Sequence, residues 1–385
     1  MKRVYQYVPA IAGIVLILSG CGNKKAEINS GKNDTPETVT RINAAEEKKG
    51  TTVTVTESNA AKEELFPSSY NKESGNVKFS CQLEVPKEFE PDNFHDSTIT
   101  GIRYIDRDKA YADYVEGKDI DTEYHYPSDD GIKPDDESYT LKDGTQVVIN
   151  GSDGFIYATT DYSTYGAVMR ENEAGASHDN FDFGSGEDSV GKVRQALSDL
   201  SYPVDEYKFN WFSISGEEHK SLQQAALENG VIGSENLQDD WTGKNEYEIY
   251  AWQIYGGLPV FPQIMTSASR LAWESYKIAP VSATYTENGF ISLRADHPYM
   301  FEQSDDKVTF LPFDEIANAV AARYENILTD SAYTVNRAKL AYRVYLNEKQ
   351  QFAAEPIWYF ESSDDNGGAE VLLFNAETGK EIFLN

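Results

Sequence analysis

With only two cysteines in 385 residues, the sequence excludes a disulfide-laced scaffold and a four-cysteine zinc site. Basic residues are few beside acidic ones, 34 Lys and Arg against 64 Asp and Glu. A chain with a net charge of -30 repels nucleic-acid phosphates and anionic headgroups, so a nucleic-acid groove and a polybasic membrane patch are both excluded. Histidine is scarce as well: His95, His125, His178, His219 and His297 are scattered, and none has a second His or Cys three or four residues away. A nucleophile elbow, a phosphate-cradling loop and a dinucleotide fingerprint are missing; Gly184-Ser185-Gly186 sits in an acidic, loop-like stretch rather than at the end of an apolar strand. What the chain does have is 40% apolar and 12% aromatic residues, enough for substantial cores in two or three domains.

The N-terminus carries an address. Lys2 and Arg3 precede an apolar stretch from Val8 to Leu18, too short to span a bilayer but suited to the core of a secretion signal. Leu18-Ser19-Gly20-Cys21 then resembles a bacterial lipobox, in which small residues precede the cysteine whose thiol receives a diacylglyceryl group. That resemblance implies a signal peptide over 1–20, lipidation of Cys21, and a place on the outer face of the cell membrane. Cys81 is then a lone thiol. It alternates with Phe79, Leu83 and Val85 on one face of an expected strand, the pattern of a buried structural cysteine rather than a nucleophile.

Residues 21–70 are rich in Lys, Glu, Asn, Thr and Ser and predict a disordered tether with a reach of about 40 Å. Their charges nearly balance, which leaves 25 basic and 56 acidic residues from Leu65 onward. An N-terminal α+β domain is expected over 71–165, with strands at Phe79 to Val85 and Thr98 to Ile105, a helix at Asp106 to Tyr114 and a hairpin at Val147 to Tyr157. A Gly, Ser, Asn and Asp-rich stretch over 163–187 reads as a boundary.

Two copies of one plan follow. In the later one, 308–385, Phe313, Ile316, Val320 and Tyr324 recur at helical spacing, and strands follow through Leu340 to Val344, Ile357 to Phe360, Val371 to Phe374 and Glu381 to Leu384. In the earlier one, 188–296, Val190, Val193, Leu197 and Leu200 share a helix face. Strands then follow around Tyr207 to Trp211, Glu246 to Tyr255, Val281 to Tyr285 and Phe290 to Leu293, with a helical insertion at Gly216 to Glu228. The fold class expected is therefore α+β: tandem units of one helix packed on an antiparallel sheet, after a disordered tether.

The C-terminal run of Leu340-Ala341-Tyr342, Glu355-Pro356-Ile357-Trp358 and Phe374-Asn375-Ala376-Glu377-Thr378-Gly379-Lys380 resembles the PepSY and YycI-type domains of bacterial envelope proteins. Tyr250-Ala251-Trp252 and Thr286-Glu287-Asn288-Gly289 occupy the corresponding places in the middle unit. The resemblance implies regulatory or inhibitory binding outside the membrane. YycI-type proteins carry a transmembrane helix where this chain has a lipobox.

Candidate chemistry is thin. Glu217-Glu218-His219-Lys220 lacks the second histidine of a zinc motif and reads as a solvated helix start; His297 reads as a loop histidine. The carboxylates of 119–137, from Asp119 and Asp121 to Asp136 and Glu137, are hard oxygen ligands that suit calcium, although their spacing is not that of a calcium loop; a solvated acidic loop is the default. Tyr250 and Trp252 share one side of their strand and Tyr247 and Tyr255 the other, so Tyr250 and Trp252 are the candidate binding aromatics. The function expected is non-catalytic binding or regulation of another envelope protein or peptide, with glycan or cell-wall binding as the alternative and an envelope hydrolase third.

Overall fold

A computed structural model describes residues 62–383, apart from 128–133, 152–153, 167–169, 171–174, 234–236, 262–277 and 326–330. The signal segment, Cys21 and the tether as far as residue 61 lie outside the described residues.

The C-terminal unit begins with α5 (Phe313–Glu325), whose Phe313, Ile316, Ala317, Val320 and Tyr324 form the buried stripe that helical spacing demands. Asp314 and Glu315 occupy its first turn, where carboxylates favour the positive end of the helix. The stripe lies on an antiparallel run of β14 (Tyr333–Leu346), β15 (Phe352–Asp364), β16 (Ala369–Asn375) and β17 (Glu381–Ile382), against Leu340, Tyr342, Trp358, Phe360, Leu372 and Phe374. The last turn is set locally. The side-chain oxygen of Asn375 accepts from the amides of Glu377 and Thr378, and Gly379 takes φ +66°.

The middle unit repeats the plan. Ser185 caps α3 (Gly186–Asp199) reciprocally with Asp188, so the Gly-Ser-Gly stretch is a capping box. Val190, Val193, Leu197 and Leu200 then pack on a sheet of β8 (Tyr207–Ile214), β9 (Glu246–Tyr255), β11 (Val281–Thr286) and β12 (Gly289–Ala295), each antiparallel to the next. A second helix, α4 (Gly216–Glu228), is inserted between β8 and β9.

These two sheets are one. The short β10 (Leu258–Phe261) pairs antiparallel with the end of β9 and parallel with β14, joining them in a 15-stranded sheet. A further core, including Tyr250, Trp252, Phe261, Ala341, Ile357, Tyr359 and Leu373, fills the side of both sheets that the helices α3 and α5 leave.

The N-terminal segment does not form the separate domain expected over 71–165. Its strands are shared out among the other units. The hairpin of β1 (Ser69–Ser74) and β2 (Val77–Glu84) lies along β14, with β2 parallel to it. β3 (His95–Ile102) forms a separate ribbon with β13 (Tyr299–Lys307). α1 (Arg107–Tyr114), capped by Asp106, precedes a meander of β4 (Ile120–Tyr126), β5 (Asp136–Leu141), β6 (Gln146–Gly151) and β7 (Gly154–Ala158), which extends the middle sheet beyond β12. The reason is physical: a lone two-stranded hairpin is marginal in water, so the β1–β2 hairpin and the β4–β7 meander each join the larger sheet, while β3 takes its partner from β13.

The expected tether also ends sooner than residue 70. Phe66 is buried, its ring packed edge-on to Phe310 and Trp358, and the Lys62 ammonium donates to the carbonyls of Pro86, Lys87 and Phe89 at 3.0, 3.1 and 2.7 Å. Burial lowers the Lys62 pKa, against the pull of Glu88 and Glu90. Cys81 is buried as its alternation predicts, and burial pushes its thiol up to about 11, which keeps it protonated and inert at neutral pH.

Candidate binding cleft

A cleft opens where the middle and C-terminal parts of the sheet join. Tyr255 and Leu258 close a hairpin around Gly256 and Gly257, whose φ values of +54° and +86° belong to the turn that matches strand twist. Both glycines are also needed for space: a Cβ on Gly256 would lie 2.6 Å from the Phe94 ring, and one on Gly257 would lie 3.2 Å from the Phe89 Cα. This turn sends β10 across to β14 and leaves the end of β2 facing β8 and β9.

The opening encloses about 390 Å³, within the size range of small-ligand and peptide-side-chain pockets. Its floor is one face of two paired strands. Lys208 lies opposite Trp252 and Asn210 opposite Tyr250 in the β8–β9 register, with Ile254 next along β9. Leu83, Glu84, Val85 and Pro86 from the end of β2 form the facing wall, and Glu88, Gly257, Pro259 and Lys339 complete it.

Charges of both signs ring this apolar floor. Lys208 Nζ stands 3.3 Å from Glu88, and Lys339 Nζ 3.9 Å from Glu84. The hydrogen bond from its own amide holds the Glu88 carboxyl below the usual carboxylate range, and Lys208 adds to that. Glu84 is held further by the Arg337 guanidinium, whose Nε and Nη2 donate to its two oxygens at 2.6 and 2.8 Å while Nη1 reaches Glu361. The wall is thus fixed by a fork across three strands. Among the described residues, the lining offers an apolar floor, an amide at Asn210, and a rim able to meet either sign of charge.

Tyr250 and Trp252, the candidate binding aromatics, are on this floor but are only 5% and 6% exposed. That burial follows from the place of β9, which is central in the sheet and covered on both sides. On the other side, Tyr247 donates to the carbonyl of Gly184 at 2.7 Å, and Tyr255 stacks on Phe301 and Tyr342. Sequence reasoning missed Lys208, Asn210, Lys339 and the Leu83 to Glu88 wall. Only the alternation of Lys208 and Asn210 with Tyr207, Phe209 and Trp211 carried a signal; the rest comes from strands far apart in the chain.

His219 corrects another expectation. It is not at a solvated helix start but fully buried, 3.0 Å from Glu246, with the indole of Trp241 stacked on it at 4.6 Å and Tyr165 edge-on. Ser215 caps α4 while Glu218 pairs with Arg170, which turns His219 to the inside. His297 Nε2 lies 2.9 Å from the Gly151 carbonyl.

Of the acidic stretch 119–137, Asp121 and Glu123 lie on β4 and Asp136 and Glu137 on β5, where Asp136 and Glu137 point to opposite sides of the strand. Glu137 is buried and paired with Arg107, Asp129 and Asp130 lie outside the described residues, and among the described residues no three His, Cys, Asp or Glu side chains cluster to hold a metal. Calcium therefore has no ligand set there among the described residues.

No family model matches the sequence, and no curated protein matches it. Among solved structures, the chain is similar to an uncharacterised protein from Eubacterium rectale, with a TM-score of 0.55 and 13% identity over 83% of this chain and 94% of that one. A second likeness is to the C-terminal domain of YpeB from Bacillus megaterium, with a TM-score of 0.30 and 11% identity over 74% of this chain and 98% of that one. At such identities the first likeness shows a shared fold and nothing of activity.

Proposed function

We propose that this protein is an extracytoplasmic lipoprotein, anchored through Cys21, that binds a segment of another cell-envelope protein in the cleft between its two helix-and-sheet units and performs no chemistry. The observation that carries the reading is the cleft itself: an apolar floor of Tyr250, Trp252 and Ile254 between the ion pairs Lys208 with Glu88 and Lys339 with Glu84. A peptide offers what such a site takes, namely an apolar side chain for the floor, a backbone for Asn210 and charges for the rim.

The resemblance of the C-terminal unit to PepSY and YycI-type domains supports the same reading, since those domains restrain or regulate partners outside the membrane. A glycan platform needs open ring faces, and the exposures of Tyr250 and Trp252 favour a peptide over a sugar ring.

The test is chemical crosslinking in intact cells. The full chain is expected to give a protein adduct that a chain ending at residue 61 does not, and Lys208→Glu, a change at an exposed rim position, is expected to reduce it. Cys21→Ala is expected to move the protein from the membrane to the soluble fraction. Retention on purified cell-wall polymer, with no adduct above the short chain, would replace this reading with the glycan one.

A further inference from the structure

Among the described residues, the 15-stranded sheet ends at β4, which pairs with β5 on one side only. Unpaired sheet edges are commonly blunted by lysine, proline or a bulge within the strand. β4 has no lysine and no proline, and its irregularity sits at its start, between Ile120 and Thr122. Every residue from Asp121 to Tyr126 is exposed.

The two sides of this edge differ. Tyr124 and Tyr126 share one side, 56% and 57% exposed, with their rings stacked at 6.4 Å and 19°. Glu123 and His125 share the other, beside the buried Glu137 that Arg107 holds. Two large aromatic rings stacked on one another in solvent make a ready apolar contact surface.

We propose that β4 is a docking edge for an extended, basic segment of a partner protein, which adds to the sheet as a further strand. Strand addition takes its affinity from backbone hydrogen bonds and its selectivity from alternate side chains. The carboxylates of Asp121 and Glu123 select Lys or Arg at alternate positions of the incoming strand, while Tyr124 and Tyr126 take the apolar residues between them. A second copy of this chain is a poor occupant, because pairing β4 with itself sets carboxylates against carboxylates on a protein of net charge -30. This edge is distinct from the cleft, and the inference does not depend on the cleft being occupied.

The test uses the full chain at low ionic strength with three short labelled peptides: one alternating Lys with Val or Thr, its counterpart with Glu for Lys, and the Lys peptide N-methylated at every residue, which keeps its charge but leaves neither edge an N–H with which to pair. The Lys peptide is expected to bind and to slow amide exchange within residues 120–126. N-methylation, or Tyr124→Ser with Tyr126→Ser, is expected to weaken binding by about tenfold or more. Circular dichroism of the double variant checks that it is folded. Binding that ignores N-methylation and the tyrosines, or no binding, or binding without protection of β4, would overturn the proposal; the first of these would mean charge attraction alone.

Discussion

Glu246 Oε1 lies 3.0 Å from His219 Nε2, and both side chains are sealed from solvent. Burial drives the two groups in opposite directions: it pulls His219 down to about 4, with Lys244 adding to this, and pushes Glu246 well above the usual carboxylate range. Both shifts favour the uncharged forms, a protonated acid beside a neutral imidazole. Trp241 Nε1, both ring nitrogens of His219 and Glu246 Oε2 have no hydrogen-bond partner among the described residues, so this polar cluster rests on packing.

The pair makes stability depend on pH. His219 takes up its proton near 6.5 when unfolded but only near 4 when folded, so its contribution is lost as pH falls from 6.5 towards 4. Glu246, raised by folding from 4.5, contributes fully below 4.5 and loses that contribution as pH rises towards its folded value. The two slopes oppose one another, that of His219 between 4 and 6.5 and that of Glu246 from 4.5 upward, each at up to about 1.4 kcal/mol per pH unit. Glu246→Gln, which cannot ionise, is expected to flatten the alkaline limb of a urea-denaturation series. Profiles for the variant and the natural chain that ran parallel at every pH above 4.5 would contradict the assignment.

The joint between the sheets depends on Gly257. Its φ of +86° and the 3.2 Å approach of the Phe89 Cα both oppose a Cβ, so Gly257→Ala is expected to cost about 1–3 kcal/mol in urea denaturation. Because this turn shapes one wall of the cleft, the variant is also expected to bind its partner less well than Gly289→Ala, whose added Cβ meets nothing within 4 Å.

Where the folded body starts is also testable. Phe66 packs on Phe89, Phe310 and Trp358, and Phe66→Ala is expected to lower stability by about 3 kcal/mol. A change below 0.5 kcal/mol, the size usual for a surface position, would return Phe66 to the tether.

Legibility in the sequence followed the range of the interaction. The stripe of Phe313, Ile316, Val320 and Tyr324, the Asn375 to Gly379 turn and the alternation of β8 and β9 are local, and all were readable. The parallel pairing of Val77 with Tyr333 and of Val260 with Tyr342 joins residues from remote segments, and no local period reports it. Alternation also gave the side of each residue but not its burial: Tyr250 and Trp252 share a face as expected, yet their strand lies between two others and is covered on both sides. His219 was misread for a similar reason. Its neighbours Glu217, Glu218 and Lys220 are polar, while the rings that bury it, Trp241 and Tyr165, come from outside its helix.

The central claim is that the cleft engages an envelope protein. A photoreactive amino acid at Asn210, on the cleft floor, compared in intact cells with one at the exposed Asn366, in the turn between β15 and β16, tests it most directly. The account predicts a discrete adduct with a cell-envelope protein from position 210, reduced by Lys208→Glu and absent from position 366. No adduct from position 210, or the same adducts from both positions, would contradict it.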